Sequence, residues 1–125
     1  GLANLTASSS SSVATGAAVT LDLTDRNRGT TLPYADFSAI NVMIFENTTA
    51  AGGGNLLICG ASSPFSGMFA DPGDILVIPP GGVGILVMTP VGLVVGGSTK
   101  NVKVDSSSGT VTYKAVIVGT GVPTP

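Results

Sequence analysis

The sequence predicts an all-β chain, a single jelly-roll-like antiparallel β-sandwich of seven to eight strands with an extended N-terminal arm. Three observations predict it. Apolar and polar residues alternate with a period of two in several segments, "AAVTLDL" and "STKNVKVD" being the clearest. Turn formulas rich in Gly, Pro, Asn and Ser recur roughly every 8 to 14 residues. No segment carries the 3.6-residue apolar period of an amphipathic helix.

The elements follow in order. Residues 1–16, "GLANLTASSSSSVATG", have no apolar period and read as a flexible Ser/Thr/Ala-rich arm. The sandwich is expected over 17–119. In its first strand Val19, Leu21 and Leu23 face one way, Thr20 and Asp22 the other. "TDRNRGTTLPYADF" (24–37) is a long polar connection. "SAINVMIFEN" (38–47) is the strongest strand, with Ile40, Val42 and Ile44 on one face, Met43 and Phe45 on the other, and both faces covered. "TTAAGGG" is a turn and "NLLICG" a short buried strand containing Cys59. "ASSPFSGMFADPG" (61–73) is a loop holding Phe65, Met68 and Phe69.

Residues 75–97, "ILVIPPGGVGILVMTPVGLVVGG", are uncharged and about as long as a membrane-spanning helix. Pro79, Pro80 and Pro90 each lack a backbone donor, six glycines weaken any helix, and Pro-Pro-Gly-Gly marks a turn. The stretch therefore reads as two or three core strands, "DILVI", "VGILVMT" and "GLVV", and not as a membrane anchor. "STKNVKVD", a "SSSG" turn (106–109) and "TVTYKAVIVG" complete the sandwich, and 120–125 form a C-terminal tail. The expected core is Val19, Leu21, Leu23, Ile40, Val42, Ile44, Ile58, Leu76, Leu86, Val102, Val104, Tyr113 and Ile117.

Composition excludes several classes of function. Charged residues are 10% of the chain, against the usual quarter, so polarity comes from hydroxyls and backbone. A surface so poor in charge wants covering by partners. The net charge is −2 and the five cations, Arg26, Arg28, Lys100, Lys103 and Lys114, are scattered, so no nucleic-acid face is expected. The absence of His removes the commonest general base and metal ligand. Cys59 is the lone cysteine, which rules out an intrachain disulfide, and a buried free thiol is expected. The N-terminus lacks basic and apolar signal-peptide regions, so no retained signal peptide is expected.

The chemistry-bearing motifs are weak. Asp71 and Asp74 in "DPGD" could offer oxygens to calcium, with Asp36 the only helper, but that ion takes six to eight ligands and Asp-Pro-Gly is a turn formula. Asp22 and Asp25 beside Arg26 and Arg28 read as surface ion pairs, not as the paired carboxylates of a glycosidase. Asn4-Leu-Thr6 and Asn47-Thr-Thr49 match a glycosylation sequon, as a Ser/Thr-rich chain does by chance. "GGG" (52–54) and "GGVG" (81–84) lead into no helix N-terminus with a Lys, and Ser8–Ser12 have no base. No catalytic, cofactor-binding or metal-binding residue is assigned, and the chain reads as non-enzymatic.

Residues 74–119 run as apolar strand, "PPGG", apolar strand, "GLVV", "STKNVKV", "DSSSGTVTYKAVIVG". This succession resembles the C-terminal half of jelly-roll head cement or decoration proteins of tailed bacteriophages. The resemblance covers a little over a third of the chain. It implies a structural virion protein on the outer capsid surface, assembled in the host cytoplasm. Such a protein, commonly a trimer, bridges major capsid subunits, with no cofactor, nucleic-acid partner or membrane. On that reading the arm is a tether that adds a strand to a neighbour, and the expected partner contacts are Leu2, Leu5 and Val13 with Phe65, Met68 and Phe69 of the loop. The alternative is a carbohydrate- or receptor-binding sandwich, for which Tyr34, Phe37 and Phe65 are the available aromatics.

Overall fold

Alternation of β-branched and polar residues yields strands such as Val19–Asp22 and Asn101–Ser106, and short apolar runs yield others such as Leu56–Gly60 and Val83–Val87. The structure, a computed structural model, describes residues 3–24, 35–60, 74–88, 92–96 and 100–123, and among them there is no helix. The described residues form nine strands: β1 (Ala3–Ala14), β2 (Val19–Asp22), β3 (Ala35–Asn47), β4 (Leu56–Gly60), β5 (Ile75–Ile78), β6 (Val83–Val87), β7 (Leu93–Val94), β8 (Asn101–Ser106) and β9 (Thr110–Pro123). Sheet A has the order β1-β9-β3-β6, with β7 also on β3, and sheet B the order β2-β8-β4-β5.

The wiring is that of a jelly roll. β6 and β7 pair with successive parts of the same β3 edge and act as one interrupted strand. First then pairs with last (β1 with β9), β2 with β8, β3 with β6/β7 and β4 with β5, every pair antiparallel. This is one long hairpin rolled over on itself. Pairing of β3 with β9 and of β4 with β8 closes it into two sheets.

The core lies between the sheets. Sheet A contributes Leu5, Ala7, Val13, Phe37, Ile40, Met43, Phe45, Val111, Tyr113, Ala115 and Ile117; sheet B contributes Leu21, Leu56, Ile58, Ile78, Val102 and Val104. Each large aliphatic or aromatic chain buried here contributes about 1.5–3 kcal/mol. Of the expected core, Val19, Leu76 and Leu86 lie partly buried against it.

Val42 and Ile44 depart from expectation. They are only half-buried and face outward, while Ile40, Met43 and Phe45 are fully buried. The cause is two irregularities of register, between Phe37 and Ala39 and between Ile40 and Val42. Each inserts an extra residue into β3, Ser38 and then Asn41, and so flips the parity of the strand. The inward residues run 37, 40, 43, 45 instead of keeping a strict period of two. The partner strand accommodates this with glycine: a Cβ on Gly119 would run into the carbonyl oxygen of Ala39, and one on Gly121 into that of Asp36.

The N-terminal segment also differs from expectation. Residues 3–14 are not a free arm but the edge strand β1, in unbroken register with β9 from Ala3↔Gly121 to Ala14↔Thr110. Leu5, Ala7 and Val13 are buried while Asn4, Thr6, Ser8, Ser10 and Ser12 are exposed, so the segment does alternate, with Ala and Ser standing at some inward positions. The expected C-terminal tail is likewise strand as far as Pro123.

The turns fall where the Gly and Pro residues put them. Gly82 donates its N–H to the Pro79 carbonyl at 2.8 Å, with Pro80 and Gly81 at the corner and Gly81 at φ 79°. Buried Asn47 holds this turn. Its Nδ2 donates to the carbonyls of Ile78 (3.0 Å) and Gly54 (3.1 Å), and its Oδ1 accepts from the Thr49 N–H (3.1 Å). Its backbone N–H donates to the Gly82 carbonyl (3.0 Å), and its own carbonyl accepts from the Gly81 N–H (2.9 Å).

Candidate functional site

Among the described residues, those with reactive side chains do not converge. Asp22 accepts bonds from the Thr24 N–H (2.9 Å) and hydroxyl (2.8 Å), and pairs with Lys100 at 3.2 Å. Burial alone would raise its pKa, but these donors together outweigh it and hold the carboxyl below its ordinary value. That is an ion pair at the end of β2, as the sequence suggested in kind. Its partner is Lys100, whereas Asp25, Arg26 and Arg28 lie outside the described residues. Asp36 is buried and Asp74 exposed; Asp71 lies outside the described residues. Among the described residues no group of three or more His, Cys, Asp or Glu could hold a metal ion.

Tyr113 is buried against the core. Burial pushes its phenol pKa up, against a hydrogen bond with Ser11 that lowers it. Cys59 lies in β4 opposite Ile75 and Lys103, and its side chain falls outside the described ones. Among the described residues no helix is long and apolar enough to cross a membrane.

The expected contact residues fare unevenly. Leu5 and Val13 belong to the core and cannot be offered to a partner, because β1 is paired within its own chain. Phe37 is buried in β3, which removes one aromatic from the sugar-binding alternative. Leu2, Tyr34, Phe65, Met68 and Phe69 lie outside the described residues. Asn47 of the second sequon is buried and fully bonded, whereas Asn4 of the first is exposed on β1.

What the structure assembles instead is an aliphatic surface. On the outer face of sheet A the registers set Val87, Val42 and Val118 in one row and Ile85, Ile44 and Val116 in the next. A third row holds Val83, Glu46 and Lys114. The members on β6 and β7 are the most open, Ile85 at 60%, Val87 at 73% and Val94 at 76%. Across β9 the face changes to hydroxyls, Thr6, Ser8 and Ser10 of β1. On sheet B the edge strand β5 exposes Ile75 and Val77, with half-buried Leu57 beside Val77.

The four open side chains of β6 and β7 leave on the order of 400 Å² of aliphatic surface in water, the size of the largest patch on an ordinary monomer and of the kind that is often functional. Among the described residues no strand pairs with the outer edge of β6. Gly82 and Met88 bond to β3, and the alternation of an antiparallel ladder then turns the N–H and C=O of Val83, Ile85 and Val87 outward. β6 carries no Lys, Glu or Pro, the usual protections of an exposed strand.

By its sequence β6 reads only as core. "VGILV" is apolar at every position, so nothing within it separates a strand buried on both faces from one that leaves a face in water. No family model, curated protein or solved structure matches this chain.

Proposed function

We propose that this chain is a non-enzymatic structural protein that works in a multi-copy assembly. On this reading it is a cement or decoration protein seated on the outside of a phage capsid, where it bridges major capsid subunits and stabilises the head. The observation that carries the assembly role is the aliphatic outer surface on β5, β6 and β7 in a chain with 10% charged residues. Burying such surface on a static neighbour removes apolar area from water, a gain partly offset by the cost of association, with no reactive side chain required.

Support for a viral shell as the partner comes from the resemblance of residues 74–119 and from the jelly-roll wiring, a fold used by capsid proteins and lectins alike. A fold hosts many functions, so the surface and not the fold bears the argument. The arm drops out of the mechanism, because β1 completes its own sheet. Docking rests on the sandwich.

The test is reconstitution. Phage heads lacking this chain are incubated with the purified protein and imaged by cryo-electron microscopy, then heated to follow genome release. Jelly-roll density bridging neighbouring shell subunits, with release shifted to higher temperature, is the expected result. Bare shells at saturating protein would overturn the reading.

A further inference from the structure

We propose that the outer face of sheet A is where two copies of this chain meet, face to face. They are related by a two-fold axis that runs along the strands between β3 and β9. This deepens the assembly reading by naming the partner of one of its two aliphatic faces. It leaves Ile75 and Val77 of sheet B for other subunits.

The arrangement of charge on the face points to a second copy. Its three central rows pair Val42 with Val118, Ile44 with Val116 and Glu46 with Lys114 across the β3–β9 ladder. Turning a copy over about the stated axis lays its β9 on the first copy's β3. Val42 then meets the partner's Val118, Ile44 meets the partner's Val116, and Glu46 meets the partner's Lys114. The reciprocal contacts follow from the symmetry. The two charges in these rows therefore neutralise each other twice, at one end of an aliphatic centre. An axis along β3 itself would set Glu46 against Glu46, and one perpendicular to the strands would bury Glu46 against valine.

Area agrees with this arrangement. With the half-buried Val42, Ile44, Val116 and Val118 added, the face offers about 500 Å² of aliphatic surface; about this axis the open β6 side chains cover the partner's Ser10, Ser8 and Thr6, and these hydroxyls with Glu46 and Lys114 bring the face towards the ~800 Å² per partner of a stable interface. Sheets packed this way lie about 10 Å apart, with the strands of the two copies within roughly 30° of each other. Like charges do not meet anywhere in the three rows. The two-fold makes pairs, in place of the three copies that the family resemblance implies.

Sedimentation equilibrium of the free chain, without any shell, tests the proposal. A dimer is expected at about 50 µM, well above the Kd that an interface of this size gives. Glu46→Lys alone makes all four facing charges positive, and Lys114→Glu alone makes them all negative. Each variant is expected to dimerise about tenfold more weakly. Mixed in equal amounts the two regain complementary contacts and recover the dimer, although within each chain the charges still clash. Ile85→Ser, at a side chain already in solvent, is expected to weaken the dimer several-fold while leaving the melting temperature of the dilute monomer unchanged. A monomeric or trimeric wild-type protein would overturn the proposal. So would a wild-type dimer indifferent to all three substitutions, or a mixture of the charge variants that recovers nothing. Because no shell is present, a monomer here leaves the shell-binding proposal standing, and failed reconstitution on heads leaves a dimer standing.

Discussion

Asn47 joins the β3 end, the 52–54 loop and the Pro-Pro-Gly-Gly turn through three side-chain and two backbone hydrogen bonds. Asn47→Ala strips the donors from two buried carbonyls and is expected to destabilise the fold by about 2 kcal/mol. Asn47→Asp sets a carboxylate against those same carbonyls and is expected to cost more; urea denaturation of both measures it. Asp22 makes a smaller, pH-dependent contribution. Its folded pKa is depressed below the ordinary value of 3.8, so its stabilisation is complete above that pH and is lost as pH falls through the lower folded pKa. The Asp22 and Lys100 side chains are close to a third exposed, so the pair is weak. Asp22→Asn is expected to lower stability by ~0.5 kcal/mol at neutral pH. The difference from wild type should vanish in denaturation curves taken below the folded pKa.

At the scale of elements, β1 and β3 hold the instructive cases. Deleting residues 1–12 removes most of an edge strand, together with Leu5 and Ala7 from the core, and uncovers β9 along its length. The expected loss is more than about 3 kcal/mol, by burial alone. A truncated chain that melted at the wild-type temperature would mean that β1 contributes nothing to the fold. The β3 bulges make a second demand, on β9. Gly119→Ala drives a methyl group into the Ala39 carbonyl, so the two strands must separate or the bulge must shift. A destabilisation of about 2 kcal/mol or more is expected by calorimetry, from a substitution that in an unbulged strand would be mildly favourable.

For the whole molecule the rolled hairpin sets the folding rate. Ala3 pairs with Gly121 and Val19 with Val104, so both sheets are completed only by contacts far apart in sequence. Refolding by stopped flow is expected in the range of milliseconds to seconds, and a microsecond phase accounting for the full amplitude would contradict this topology. Only at this scale does the surface acquire meaning. The β5 and β6 edges, joined by the turn at 79–82, belong to different sheets, so one short stretch of chain leaves aliphatic residues exposed on both outer faces.

The sequence by itself determined the strand-forming segments from Val19 onward, the turns at Pro79–Gly82 and Ser106–Gly109, the reading of 75–97 as strands, and the poverty in charge. These are local matters: backbone preference, donor loss at proline and alternation over a few residues. It missed β1 as a strand because Ala and Ser can stand inside a sandwich without looking apolar, and what holds them there is β9, about a hundred residues away. It misassigned Val42 and Ile44 because a bulge is a property of a pair of strands, and half of that pair is the glycine-bearing end of β9. The aliphatic face on sheet A was out of reach for the same reason. An apolar strand reads as core in any sequence, and only the tertiary arrangement shows that β6 ends a sheet with protein on one side and water on the other.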